Sequence, residues 1–204
     1  MRVCAMAACA VVAAGMVLTG CGPAAPPTSG TPTVVGTGPT AAATPLCTPE
    51  SGGSATPCTQ QQYEEMKKLD ALYAEAEDVY RRFVAEDERI SRDGSLATDE
   101  FKRLVAGELA TEGETLYRQR HEEGVKAVGG EFVIKYVRRA PNQSYEGSLV
   151  ALSACVDGTT ASFEQNGKPV GKGSAISTTS FYKRFDGTLK LFKLDGRIST
   201  SCVG

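Results

Sequence analysis

The feature that most constrains the fold of this chain is a change in its hydrophobic period near Gly124. Before this glycine, apolar residues recur every three or four positions, which predicts helices. After it, apolar residues recur at every second position, for example in residues 132–137, which predicts strands. Helices followed by strands indicate an α+β fold, in which N-terminal helices pack on one face of a curved antiparallel sheet.

Two helical segments are predicted ahead of this change. Thr59 and Gln62 have the spacing of a capping box, so the first helix is expected to begin there. It is expected to end near Gly94, because glycine is the usual residue just beyond a helix C-terminus. The second segment is expected to begin near Thr98, with a bend or break at Gly113.

The strands are separated by pairs of the type Asn-Gly or Asp-Gly, which are strong signals for tight hairpin turns. Strands are predicted at residues 132–137, 149–156, 160–164, 175–185, 189–194 and 198–202. Turns are predicted at Asp157-Gly158, Asn166-Gly167, Asp186-Gly187 and Asp195-Gly196. The glycines around Lys168 and Lys172 lack the strand–loop–helix context of a phosphate-binding loop, so residues 167–173 are interpreted as a strand connection.

The first 20 residues have the pattern of an export signal. Arg2 is followed by a run of apolar residues that is shorter than the roughly 20 residues of a membrane-spanning helix. The segment Leu18-Thr19-Gly20-Cys21 at the end of this run resembles the lipobox of a bacterial lipoprotein, with Cys21 as the lipidated residue. The alternative is an ordinary secretory signal cleaved near Ala24 or Ala25. The lipobox predicts that the chain is held at the outer face of the cell membrane by a lipid on Cys21.

Residues 21–58 are interpreted as the lipidated cysteine and a flexible linker. This segment is rich in Pro, Thr, Ala and Gly, and Glu50 is its single charged side chain. Such a composition buries too little apolar surface to offset the entropy of ordering. Residues 59–204 have the size of one ordinary domain, which the linker would separate from the membrane.

Four cysteines remain when the two in the leader and Cys21 are set aside: Cys47, Cys58, Cys155 and Cys202. An even number in an exported chain indicates disulfide bonds. Three pairings are possible, and proximity in sequence favours Cys47–Cys58, which leaves Cys155–Cys202. The chain has no CxxC motif and one histidine, so no metal site and no cofactor are predicted.

The order of these features resembles the NTF2-like (SnoaL-like, cystatin-like) lipoproteins of actinobacteria. The local similarity consists of Ala154-Cys155-Val156-Asp157 on a central strand, Asp186-Gly187 before the penultimate strand, and Cys202 near the C-terminus. In that family the cysteines that correspond to Cys155 and Cys202 look like a disulfide pair that crosses the sheet, which agrees with the pairing of Cys155 with Cys202. The chain departs from the family at Leu189, where a tryptophan is usual. The resemblance implies a cone-shaped α+β domain with a cavity between helices and sheet, a fold that serves both enzymes and binding modules.

No catalytic motif of that family maps onto this chain, so no catalytic residue is assigned. His121, the single histidine, could act as a base, but the charges around it favour a solvated helix end. Asp87 interrupts the apolar stripe of the first helix, and we interpret it as marking a helix that turns into solvent. Asp157 is interpreted as a turn residue. Four tyrosines could line a cavity but are more typical of a core: Tyr73, Tyr80, Tyr136 and Tyr182.

The function expected from the sequence is therefore that of a non-catalytic, lipid-anchored interaction module of the cell envelope. Its expected partners are the membrane, through Cys21, and either an envelope protein or a small apolar ligand. The formal net charge of −2 gives no reason to expect nucleic-acid binding. Two alternatives are an exported isomerase or lyase acting on an apolar molecule, with His121 or Asp87 as base, and a passive small-molecule carrier.

Overall fold

The structure of the chain, a computed structural model, describes residues 44–199 and 201–202. The predicted signal peptide, Cys21 and most of the predicted linker lie outside these residues. The described part contains three helices and nine strands, and none of its helices is long and apolar enough to span a membrane.

The elements follow one another with the helices ahead of the main sheets. The helices are α1 (Gln60–Asp93), α2 (Asp99–Leu104) and α3 (Gly107–Glu123). The strands are β1 (Leu46–Cys47), β2 (Thr56–Pro57), β3 (Val125–Val128), β4 (Val133–Arg139), β5 (Val150–Asp157), β6 (Ser162–Gln165), β7 (Lys168–Lys172), β8 (Ala175–Phe185) and β9 (Thr188–Ser199). The predicted α+β class is confirmed.

Helix α1 begins and ends where its capping residues predict. The backbone N–H of Gln62 donates to Thr59 Oγ1 over 3.2 Å, and the backbone N–H of Thr59 donates to Gln62 Oε1 over 2.9 Å. Gly94 ends the helix in the left-handed conformation, with φ 61°. These local hydrogen bonds satisfy backbone groups that a helix end leaves unpaired, which is why the sequence signals them.

The second helical segment is interrupted at Val105-Ala106, so the prediction of a break at Gly113 is wrong. Ala106 leaves the helical path because its backbone N–H donates to the carbonyl of Leu191 on β9, over 3.0 Å. Gly113 lies inside α3 and makes room for a neighbouring ring. A Cβ atom at this position would lie 2.3 Å from Cζ of Phe101.

The strands form two larger antiparallel sheets. One has the order β4-β5-β8-β9 and the other β3-β6-β7. The core lies between α1, α2, α3 and the four-stranded sheet, and its largest buried side chains include Tyr80, Tyr182, Phe101 and Leu152. Leu189, which stands where the resembling family has tryptophan, is 1% exposed and belongs to this core.

Two of the four predicted Asx-Gly turns form tight hairpins. Asn166-Gly167 joins β6 to β7 and Asp186-Gly187 joins β8 to β9, with positive φ at all four residues. The turn predicted at Asp195-Gly196 is wrong, because β9 continues through it while paired with β8. The strand predicted at residues 189–194 and the start of the one predicted at residues 198–202 are instead joined in β9, because β8 is long enough to pair with both. The Asp-Gly dipeptide carries no information about this distant partner strand.

Both favoured disulfide pairings are confirmed, Cys47–Cys58 and Cys155–Cys202. The first holds the short hairpin of β1 and β2 against α1, where the backbone N–H of Thr48 lies 3.2 Å from Met66 Sδ. Residues 44–58, assigned to the linker by composition, thus pack on the first helix in the described structure.

Candidate functional site

A cavity of about 480 Å³ lies between helices α1 and α3 and the sheets. Its inner wall includes Tyr80, Phe101 and Tyr117, each at most 3% exposed. At its opening lie three apolar side chains that solvent reaches: Leu116 (42% exposed), Ile176 (41%) and Ile198 (81%). Small-molecule sites are typically mainly apolar cavities of roughly 300–1,000 Å³ with a few convergent polar groups. This cavity has that size and composition.

Asp87 is the carboxyl group that faces the interior of the cavity from α1. Its Oδ1 accepts a hydrogen bond of 2.6 Å from the hydroxyl of Tyr117 on α3. Burial raises the pKa of Asp87 above its ordinary value, while the hydrogen bond from Tyr117 and the charge of Arg120 act in the opposite direction. Burial likewise raises the pKa of Tyr117, and the neighbouring carboxylate raises it further. The tyrosine therefore remains a hydrogen-bond donor.

The interpretation of Asp87 as a residue that turns into solvent is wrong. Tyr117 on α3 covers one side of its carboxyl group, and the cavity lies on another side. The apolar stripe of α1 faces the core at both Val84 and Ile90, and Asp87 lies between them and lines the cavity. An interrupted stripe looks the same in the sequence whether solvent or a cavity lies beyond it, so the sequence alone could not distinguish the two.

Two cationic side chains also line the cavity. Arg120 extends from α3, one helical turn beyond Tyr117, and Lys172 ends strand β7. Neither has an acidic partner within 4 Å among the described residues, although most arginines there form such pairs. From the sequence Lys172 is interpreted as part of a strand connection, whereas it lies in strand β7, and nothing in the sequence marks Arg120 as a site residue.

A second polar pair lies on the inner side of the cavity. The hydroxyls of Tyr80 and Thr178 share a hydrogen bond of 2.9 Å, and both side chains are buried. Burial raises the pKa of Tyr80. Because these two hydroxyls satisfy each other, the pair contributes a polar surface without an unpaired charge.

His121 lies outside the cavity wall. Its Nδ1 is 2.7 Å from the carbonyl oxygen of Gly94, the residue that ends α1. The exposed imidazole thus links the C-terminal ends of α1 and α3. This geometry agrees with a structural role for His121 and gives it no position from which to act on a molecule in the cavity.

The remaining sequence candidates are also held by local contacts. Asp157 Oδ1 accepts hydrogen bonds from the backbone N–H (3.1 Å) and the hydroxyl (2.7 Å) of Thr159, which lower the pKa of Asp157, as in an Asx turn. Tyr73 donates to Glu50, with the guanidinium of Arg139 4.7 Å from the centre of its ring. Of the four tyrosines interpreted as more typical of a core than of a cavity, Tyr80 lines the cavity.

A further buried acid, which the sequence analysis did not single out, precedes Asp87. Glu86 is 7% exposed and accepts hydrogen bonds from Arg89, one of 2.7 Å, and from the hydroxyl of Thr98. The hydrogen bond from Arg89 lowers the pKa of Glu86. Thr98 in turn caps α2, because its Oγ1 accepts from the backbone N–H of Phe101 over 3.1 Å. Glu86 therefore fixes the junction of α1 and α2.

The cavity can hold an apolar body and offer it two carboxyl groups (Asp87 and Glu112), a tyrosine hydroxyl, a guanidinium and an ammonium group. Within the described residues, no cluster of three or more histidine, cysteine, aspartate or glutamate side chains is placed to hold a metal ion. Comparison of the chain with known protein families and with curated protein sequences found no matching family model and no matching curated protein. The site is therefore interpreted from its own geometry.

Proposed function

We propose that the chain is a lipoprotein, anchored through Cys21 to the outer face of the cell membrane, whose α+β domain binds a small, mainly apolar molecule. The export signal and lipobox of residues 1–21 support the anchoring. Two disulfide bonds are compatible with a location outside the cytoplasm, because such bonds persist in oxidising compartments.

The proposal includes an NTF2-like cone for residues 59–204. What supports it is the order of three helices followed by antiparallel strands, with a cavity between the helices and the four-stranded sheet. The fold by itself does not define a ligand, since one fold serves many functions. The binding function rests instead on one observation, the open apolar cavity into which the Asp87–Tyr117 pair projects.

Binding can be tested with a fluorescent reporter, because the chain has no tryptophan. Leu116→Trp places an indole at the opening of the cavity, where the leucine is 42% exposed. Leu96→Trp is the matched control, since Leu96 is 51% exposed and does not line the cavity. Both variants are made in the full chain and titrated with 1-decanol.

The expected result is a saturable change in the indole emission of the Leu116→Trp variant and no saturable change for the Leu96→Trp variant. Equal responses of the two variants would mean that decanol associates with the chain elsewhere, which contradicts binding in the cavity. No response from either would overturn the proposed binding function.

A second candidate function, acid–base catalysis on an apolar molecule, is favoured by the raised pKa of Asp87. A carboxyl group whose pKa lies above its ordinary value is a better general base near neutral pH than an exposed one. In this reaction Asp87 would take a proton from the carbon next to a carbonyl group, leaving an enolate, and would return a proton to carbon.

Exchange of carbon-bound hydrogen in 2-decanone dissolved in D₂O measures this reaction by proton NMR. If the chain is an enzyme of this class, exchange is faster with the protein than with buffer, and Asp87→Asn removes the acceleration. Decanol binding without acceleration of exchange would exclude this reaction for 2-decanone and leave the binding function in place.

A further inference from the structure

The polar groups of the cavity wall are unevenly placed along α3, with Glu112 in its first half and Tyr117 and Arg120 near its end. Helix α3 begins beside Leu191 of β9, through the hydrogen bond from the backbone N–H of Ala106, so Leu109 lies near that end of the sheet. Leu194 of β9 also lines the cavity. Arg120 lies eleven residues after Leu109 on α3, or about 16 Å along a helix that rises 1.5 Å per residue.

Asp87, Tyr117 and Arg120 lie toward the other end, where Ile176 and Ile198 also line the cavity. The hydrogen bond from Tyr117 to Asp87 and the contact of His121 with Gly94 bring the C-terminal halves of α1 and α3 together. Lys172 belongs to this end as well. It lies three residues before Ala175, which pairs with Ser199 at the end of β9 farthest from Leu191.

Arg120 is the group at this end best suited to bind an anion. Its guanidinium is partly exposed within the cavity and has no carboxylate within 4 Å among the described residues. A guanidinium presents N–H donors in a planar fork that matches a carboxylate group. Asp87 competes only weakly with a ligand for the guanidinium of Arg120. One of its oxygens already accepts from Tyr117, and burial disfavours its charged form.

We infer that the ligand is amphipathic, with an apolar body along α3 and a carboxylate head that pairs with Arg120, assisted by the charge of Lys172. This inference rests on the proposed binding function and adds the chemical class of the ligand to it. The carboxylate head group is what this inference adds to the proposed binding of an apolar molecule. A purely apolar molecule would gain nothing from a guanidinium that has no carboxylate within 4 Å among the described residues.

The test compares three probes with the same ten-carbon body and different heads: decanoate, 1-decanol and decylammonium. Each is titrated at neutral pH into the full chain carrying the Leu116→Trp reporter. Decanoate is expected to bind at least about tenfold more tightly than decanol, because its head group forms a charge-assisted hydrogen bond with the guanidinium. Decylammonium is expected to bind more weakly than decanol.

A matched pair of variants then locates the head group. Arg120→Gln is expected to weaken decanoate binding about tenfold and to abolish most of the preference for decanoate over decanol. Arg118→Gln removes the same charge from the same helix, at an exposed position outside the cavity, and is expected to change neither affinity.

Equal affinities for decanoate and decanol, tighter binding of decylammonium, or the same loss in both arginine variants would overturn the inference and leave apolar binding intact. The probe comparison needs no variant of Arg120, so it stands even where Arg120→Gln perturbs folding. Failure of all three probes to bind would instead overturn the proposed function itself.

Discussion

Helix α1 carries two neighbouring carboxyl groups, Glu86 and Asp87, which differ in how many hydrogen bonds the protein donates to them. Glu86 is enclosed at the junction with α2, where Arg89 and Thr98 both donate to it and its pKa is lowered. Asp87 accepts from Tyr117, lines the cavity, and has a raised pKa. An acid whose partners are all supplied by the fold stabilises the fold. An acid that faces an open cavity costs stability and remains available to a ligand.

The largest expected effect of a substitution that tests this comparison belongs to Glu86. Glu86→Gln removes a buried charge from two hydrogen-bonding partners, so we expect the free energy of unfolding to fall by about 2 kcal/mol. Urea unfolding of the full chain, followed by far-UV circular dichroism, measures the change.

Glu77→Gln is the control for this experiment. Glu77 forms an exposed i,i+4 pair with Arg81, which should contribute about 0.3–0.5 kcal/mol. A loss at Glu86 no larger than the loss at Glu77 would contradict the structural role assigned to Glu86.

The two acids should also respond to pH in opposite directions. The stability contributed by Glu86, whose pKa is lowered in the folded state, is present above the ordinary pKa of a glutamic acid and is lost as pH falls through the lowered value. The contribution of Asp87, whose pKa is raised, is present below the ordinary pKa of an aspartic acid and is lost as pH rises through the raised value.

Unfolding free energies of the unmodified chain, Glu86→Gln and Asp87→Asn, measured from acid to neutral pH, reveal these slopes. On acidification the cost of Glu86→Gln should shrink, while the unmodified chain should gain stability relative to Asp87→Asn. Parallel slopes for the two variants would show that the two carboxyl groups do not differ as described.

A smaller effect is expected from Asp87→Asn at neutral pH. The amide oxygen still accepts from Tyr117, and the cost of burying a charge disappears, so stability should stay equal or rise by up to about 1 kcal/mol. Chemical denaturation checks this result. A loss of about 2 kcal/mol or more would place Asp87 among the structural acids and remove the contrast with Glu86.

The smallest effect is expected at His121. His121→Ala removes one exposed contact with Gly94, so the loss of stability should be about 0.5 kcal/mol, and decanol binding should not change. The Leu116→Trp reporter measures that binding. A clear loss of decanol affinity would indicate that His121 belongs to the cavity after all.

Local chemistry explains which parts of the fold could be predicted from the sequence. The capping box of Thr59, the helix end at Gly94 and the turn at Asn166-Gly167 each depend on hydrogen bonds or φ angles within a few residues. Asp195-Gly196 carries the same turn signal, but its pairing with β8 depends on residues far away in sequence. The break at Val105 likewise depends on Leu191, so neither could be read from its own neighbourhood.

The candidate site was less accessible to prediction than the fold. Asp87 was noticed because it interrupts an apolar stripe, yet the cavity beside it is formed by α3 and strands that follow much later. Glu86 and Arg120 look like ordinary charged helix residues in the sequence. Their roles depend on the neighbours that the fold provides. Glu86 lies beside Arg89 and Thr98, whereas Arg120 lies in the wall of a mainly apolar cavity.

The most direct test of this account is a ¹³C NMR titration of the Asp87 carboxyl group in the full chain, with the resonance assigned by Asp87→Asn. The pKa should lie above the ordinary value for an aspartic acid, because the carboxyl group is buried. Saturating decanol should raise it further by displacing water from the cavity. A pKa at or below the ordinary value that decanol leaves unchanged would contradict the assignment of Asp87 to a ligand-binding cavity.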